Sequence, residues 1–271
     1  MTVVLDFHAH AFPDHVAERA VPALAESGGV APHHDGRVAS LLGAMDRTGV
    51  AASVICSIAT RPGQFEPILA WSGEIRSQRI IPFPSVHPED PDLLDHLARI
   101  REEGFLGIKM HPYYQGFALD EERLMPLYGQ VERLGLVLVM HTGFDIAFPR
   151  DPIASPARIR TVIDRFPGLK LVATHMGAWQ DWDQVEELLI GRPLFLDISF
   201  SLQFLDREQA RRMILAHPEG YVLFGTDSPW ADQAEVIALL RALDLGSRRE
   251  EMILGENGCR LLGIDPETLD P

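Results

Sequence analysis

The stretch VVLDFHAHAF, residues 3–12, is a short β-prone run that ends in two histidines set two positions apart. Side chains alternate along a strand, so residues i and i+2 point the same way. His8 and His10 are therefore expected to share a face, with Asp6 on that face one step deeper. The question is what a buried strand gains by ending in two imidazoles.

The run is the first of eight. AASVICSIA (51–59), RIIPFPSV (79–86), FLGIKM (105–110), LVLVM (136–140), LKLVAT (169–174), PLFLDIS (193–199) and GYVLFG (220–225) repeat it. Almost all are continuous rather than alternating in hydrophobicity, as expected of strands covered on both faces in a parallel sheet. A helical pattern follows each, over about 14–27 and 37–49, then 65–78, 91–104, 120–135, 155–168, 181–191, 206–217 and 233–243, with a closing helix over about 248–264. Pro91 suits a first helical turn, and the acidic residues that open 120–135 suit a helix N-terminus. Eight strand–helix units in 271 residues predict one (β/α)8 barrel domain over 1–271, a fold that commonly takes about 250 residues. A doubly wound open sheet is the alternative.

Composition narrows the function classes. The chain is 46% hydrophobic and 23% charged, with 24 basic and 39 acidic residues and a net charge of −15. Phosphate binding needs clustered Lys and Arg, so a nucleic-acid partner is not expected. No apolar run approaches the ~18 residues of a membrane span, and MTVVLDF lacks the charged start of a secretion signal. Two cysteines make no disulfide scaffold. Cys56 reads as a small buried hydrophobe, a bridge to Cys259 stays open, and a reducing cytoplasm is the expected compartment.

In such a barrel the chemistry sits at the C-terminal ends of the strands. Strand one ends in His8 and His10, strand four in Lys109 and His111, strand five in His141, strand six in His175 and strand eight in Asp227. Imidazole and carboxylate together are ligands for a divalent ion, zinc foremost, whose bound water has a pKa near 7. Asp227 can both ligate and accept a proton. His15, His33, His34, His87, His96 and His217 are expected in helices or loops away from the mouth, at the surface by default, with His87 nearest to it.

These motifs resemble the amidohydrolase superfamily: D-x-H-x-H at strand one, GIKMHP at four, HTG at five, HMG at six and GTDSPW at eight. The likeness is nearest to the branch that includes the aminocarboxymuconate-semialdehyde decarboxylases, whose closing N-x-x-R-L pattern is similar to Asn257, Arg260 and Leu261. It spans essentially the whole chain. The resemblance implies His8, His10, His141 and Asp227 as metal ligands, with His175 beside the bound water as acid/base. It also implies Asp6 as a residue that orients a ligand histidine. Binuclear members use a carbamylated strand-four lysine and bind the second ion through the strand-five and strand-six histidines. Lys109, His141 and His175 fill those places. One ion is favoured, two are possible, and Lys109 is otherwise a binder of substrate carboxylate or oxyanion.

Two reactions are open to such a site. One is hydrolysis of an amide, ester or lactone of a small organic acid, which Lys109 favours. The other is non-oxidative decarboxylation of an unsaturated or aromatic acid. A barrel reduced to a binding module would lack ligands, and none is missing here. His111, Arg150 and Trp230 join Lys109 as candidate substrate contacts. Phe144, Phe148, Tyr113, Tyr114, Trp179 and Trp182 lie in the same loops and suggest a planar or apolar ligand. Superfamily members often dimerise, so the resemblance leaves a homo-oligomer open.

Overall fold

The computed structural model describes residues 3–269. The ends of the expected domain span, residues 1–2 and 270–271, lie outside the described residues. The eight strands are β1 (Leu5–Ala9), β2 (Ala52–Cys56), β3 (Ile80–Phe83), β4 (Gly107–Met110), β5 (Val137–Met140), β6 (Lys170–Ala173), β7 (Phe195–Asp197) and β8 (Val222–Leu223). All neighbouring pairs are parallel, in the order β1-β2-β3 and β4-β5-β6-β7-β8. Two seams join these arcs. At one, Lys109 N–H donates to the Pro84 carbonyl (3.0 Å). At the other, Phe7 N–H donates to Phe224 O (2.8 Å), and the His8 carbonyl accepts from Thr226 N (3.2 Å) and Asp227 N (2.7 Å). The result is a closed (β/α)8 barrel.

Ten helices surround or cap it: α1 (Asp14–Gly28), α2 (Val38–Thr48), α3 (Phe65–Ile75), α4 (Leu93–Glu102), α5 (Pro112–Gln115), α6 (Met125–Leu134), α7 (Pro156–Arg165), α8 (Trp182–Leu188), α9 (Arg207–Ala216) and α10 (Gln233–Ala242). The short α5 falls where the sequence reads as loop. Its Gln115 donates to Ala59 O (2.9 Å) and Val86 O (2.8 Å), which ties the loops after β2 and β3 together. Pro91 precedes α4 instead of entering its first turn. The closing segment is helical from Ser247 to Leu262, with a π-helical turn at Met252–Glu256. Glycine is required there, because a Cβ at Gly255 would sit 2.1 Å from the Val3 carbonyl.

The barrel interior is apolar below its mouth. Leu5 and Phe7 of β1 cluster with Val54 and Cys56 of β2, Phe83 of β3, Val139 of β5, Val172 of β6 and Cys259 of the closing segment. Cys56 and Cys259 are both free and buried, and burial pushes the Cys56 thiol up to about 12.

Asp6 corrects the expected alternation. Its carboxylate accepts from Thr226 N (3.0 Å), Thr226 Oγ1 (2.6 Å), His8 N (3.2 Å) and Gln233 Nε2 (2.8 Å) of α10. It thus lies toward the outer helix layer and touches no histidine ring. The cause is a register irregularity between Asp6 and Ala9, which breaks the period of two.

His87 and His217 are also corrections, since both are buried. His87 Nδ1 accepts from Glu89 N (3.2 Å). His217 Nε2 donates to Leu194 O (2.7 Å), Nδ1 accepts from Gly191 N (3.3 Å), and Arg249 caps its carbonyl. Burial lowers the His217 pKa to about 4. An unfolded histidine titrates near 6.5, so between pH 6.5 and 4 the unfolded chain binds the extra proton. The His217 contribution to stability should therefore fall by up to about 3 kcal/mol as pH drops through that window. Urea unfolding of the wild type and His217→Asn at pH 4, 5, 6 and 7 isolates it as the difference between the two, which should shrink as pH falls.

Candidate metal centre and its cavity

Four groups converge at the seam between β1 and β8. Asp227 Oδ1 lies 2.9 Å from His10 Nε2 and 3.3 Å from His8 Nε2, and Lys109 Nζ lies 3.1 Å from the same His8 nitrogen. The tautomers follow from the other ring nitrogens. His10 Nδ1 faces the Cys56 carbonyl at 2.9 Å, which can only accept, so His10 carries its proton there. His8 Nδ1 faces Asp197 Oδ2 at 2.9 Å and Ser199 Oγ at 3.0 Å. Ser199 spends its own hydrogen on Asp197 Oδ1 (2.5 Å), so His8 also carries its proton on Nδ1. In the neutral tautomers this leaves Nε2 of each ring as a lone pair: that of His8 lies between the Lys109 ammonium and Asp227 Oδ1, and that of His10 lies against Asp227 Oδ1. A cation resolves that convergence, and two imidazoles with a carboxylate are a donor set that suits zinc.

Burial disfavours the proton alternative at His8. Desolvation, then the Lys109 charge, holds its pKa well below the usual value of 6.5. Burial pushes the Asp227 carboxyl upward, but His8 and His10 outweigh it and keep the group below the usual carboxylate range.

His141 stands in a second group. Its Nδ1 lies 3.1 Å from His175 Nε2, and its Nε2 faces Phe144 O at 3.3 Å and Asp145 Oδ2 at 3.8 Å. His175 Nδ1 donates to Ser199 O (3.0 Å), so in its neutral tautomer Nε2 is a lone pair. A neutral His141 has one proton for two accepting neighbours, so one of its contacts again lacks a hydrogen. Burial, followed by the neighbouring His111 and His175, keeps the His141 pKa well below 6.5. His111 stacks on His141 with ring centroids 4.0 Å apart and sets its Nε2 3.2 Å from Asp145 Oδ2. His8, His10 and Asp227 form one ligand-capable triad, and His111, His141 and Asp145 form another. Asp90, Asp92 and His96 make a third away from the mouth, where His96 is engaged by Asp90 (3.1 Å) and stacked on Phe65.

Backbone strain marks the same places. His175, Met176 and Asp227 have φ of +59°, +56° and +65°, a left-handed conformation that non-glycine residues rarely adopt. Gly143, at φ +85°, lets the loop after β5 touch the loop after β6, since a Cβ there would lie 2.0 Å from Trp179 N.

A cavity of about 850 Å³ opens above the triad. Lys109, His111, His141, His175, Tyr114, Trp179 and Trp230 line it together with His8, His10 and Asp227. Arg150 does not. Its guanidinium packs 3.8 Å above the Phe144 ring and donates to Gln180 (2.7 Å). Nor does Trp182, whose indole donates to His175 O (2.9 Å). His15, expected away from the mouth, stands on the cavity wall. His34 acts from outside it. Its Nδ1 accepts from Gly36 N (3.1 Å), so its Nε2 donates to Ser228 Oγ (2.8 Å) beside Asp227.

Asp197, Ser199 and Asp145 are the site residues that sequence reading missed. Asp197 had a signal, an acid closing the apolar run LFLD at strand seven. Asp145 had none beyond its place in the long loop after β5.

Solved structures share the fold. An uncharacterised TIM-barrel protein from Bordetella bronchiseptica superposes with a TM-score of 0.77 at 21% identity, covering 96% of this chain and 98% of that one. The 2,6-dihydroxybenzoate decarboxylase from Rhizobium gives 0.71 at 17% identity, over 97% and 99%. A probable 2-pyrone-4,6-dicarboxylic acid hydrolase from Acinetobacter baumannii gives 0.65 at 15% identity, over 97% and 100%. No curated protein matches the sequence. A family model does, over residues 5–264, and by that match the chain belongs to the amidohydrolase family.

Proposed function

We propose that this protein is a metal-dependent hydrolase that cleaves an amide, ester or lactone of a small organic acid. The observation that carries the reading is the convergence of His8 Nε2, His10 Nε2 and Asp227 Oδ1 at the mouth of the barrel, a ligand-capable triad. These three would hold a divalent ion, zinc by the donor set, with His141 and His175 close by. When bound, such an ion polarises a carbonyl and lowers the pKa of water.

The chain's own residues supply the rest. Asp227 Oδ1 makes both imidazole contacts, which leaves Oδ2 to accept a proton. His175, held by Ser199 O and paired with His141, offers a second proton acceptor within the cavity. An ion at His8 would take over the lone pair that Lys109 uses, and Lys109 Nζ would then be free to meet an oxyanion. Among the described residues that line the cavity, Lys109 is the only lysine, there is no arginine, and Asp14, Glu74, Asp145 and Asp227 are acidic. That balance favours an uncharged carbonyl derivative over the free carboxylate a decarboxylase must take.

Asp197→Asn should weaken zinc binding about 10–100-fold without unfolding the barrel, because it removes the acceptor that fixes the His8 ring. Chelator competition measures the affinity, and circular dichroism checks the fold. Asp227→Ala should lower kcat/KM by about 10²–10⁴-fold or more in the zinc-loaded enzyme assayed on a panel of esters and lactones. Release of CO₂ from aromatic or unsaturated acids, with no hydrolysis across that panel, would replace this reading with the decarboxylase.

A further inference from the structure

The cavity is larger than its polar floor. Its outer wall is apolar and comes from elements remote from the triad, with Leu24 on α1, Ile58 after β2, Ile68, Trp71 and Ile75 on α3, and Ile146 in the loop after β5. Helix α3 explains how the wall is made. Phe65, Leu69 and Ser72 recur at helical spacing and are buried against the barrel. Ile68, Trp71 and Ile75 recur at the same spacing on another face, remain half-buried and line the cavity. Trp71 and Ile75 lean on the apolar core with part of their surface, and what remains half-exposed, with Ile68, faces the cavity. Ile146, 46% exposed, reaches across from the β5 loop and packs against the end of α1, where a Cβ on Gly28 would lie 3.2 Å from it.

Charge limits what this wall accepts. Of the described lining residues, the charged ones away from the floor are Asp14 and Glu74, and both are acidic. A substrate with a second anionic group at its far end would bring that charge among apolar side chains with no lysine or arginine to meet it and His15 as the one basic group on the wall, which is costly.

We propose that the non-reacting part of the substrate is an uncharged, apolar body, such as a medium-length acyl chain, laid along Ile68, Trp71 and Ile75 with its carbonyl at the triad. The inference rests on the hydrolase reading for the orientation of that carbonyl. It makes the second stripe of α3 the specificity-determining surface. The volume of about 850 Å³ sits high in the range of roughly 300–1,000 Å³ usual for small-molecule sites.

The test is binding, which needs no turnover. Zinc-loaded protein is titrated with straight-chain monocarboxylates from butanoate to decanoate, which mimic the acid product, by calorimetry and tryptophan fluorescence. The Kd should fall about three- to fourfold per added methylene. The α,ω-dicarboxylate of each length should bind at least about tenfold more weakly than its monocarboxylate. Trp71→Ala should flatten the length dependence, and Ile68→Lys should shrink or reverse the penalty on dicarboxylates. A Kd independent of length, or dicarboxylates binding the wild type as tightly as monocarboxylates, would overturn the proposal. So would a sedimentation result in which Trp71→Asp splits a dimer while leaving the probe affinities unchanged, because the stripe would then be a subunit interface. If the length dependence holds and the enzyme releases CO₂ instead of hydrolysing esters, the reaction assignment fails and the specificity surface stands.

Discussion

The seam between β1 and β8 is the constraint on which the site depends. His8 and His10 lie at one end of the chain and Asp227 more than two hundred residues later. What brings them together is the His8 carbonyl accepting from Thr226 and Asp227 N–H, with His10 N–H donating to Ser228 O (2.6 Å). Asp6 reinforces the join from the outer side by binding both the backbone and the hydroxyl of Thr226. A fully buried carboxylate is tolerated there because four donors satisfy it, although burial still raises its pKa to about 6. One aspartate thus fastens the strand end while its neighbour in sequence, His8, faces the chemistry.

Inside the seam, the hydrogen bonds fix where protons are missing. Asp197 is the hub. Its Oδ2 holds His8 Nδ1, and its Oδ1 accepts from Ser199 Oγ, Ser199 N (3.1 Å) and His175 N (2.9 Å). Ser199 in turn accepts from His175 through its carbonyl. One buried acid therefore sets the tautomer of a candidate ligand and, through Ser199, that of the candidate base. The left-handed backbone at His175 is held by the bond from its N–H to Asp197, and that at Asp227 by the bond from its N–H to the His8 carbonyl. Through this network β7, a strand whose end carries no histidine, still contributes to the site.

The barrel was legible in the sequence because continuous apolar runs and helical patterns alternate eight times, and burial on both faces demands that composition. Strand ends were legible for the same reason, since an ionisable residue closing an apolar run stands out, as His141 and His175 do. Direction was harder. Period-two reasoning put Asp6 beside His8, and a local register irregularity turned it away. Burial of His217 escaped notice because its partners, Leu194 O and Gly191 N, are backbone groups that no sequence pattern announces. Arg150 was misplaced for a related reason. A loop arginine near the mouth has several partners within reach, and here Phe144 and Gln180 hold it outside the cavity.

Floor and wall obey different physics. His8, Lys109 and Asp197 are almost wholly excluded from solvent, so their interactions are strong, interdependent and intolerant of change. The second stripe of α3 is half-buried and takes no part in that network. Phe65 and Leu69 are the buried anchors of that helix, while Ile68, Trp71 and Ile75 keep part of their surface toward the cavity. The groups able to bind an ion thus sit at the strand ends, and the apolar wall of the cavity sits on a helix face outside their hydrogen-bond network. Such a separation lets a barrel keep one set of reactive groups while the shape of its pocket varies.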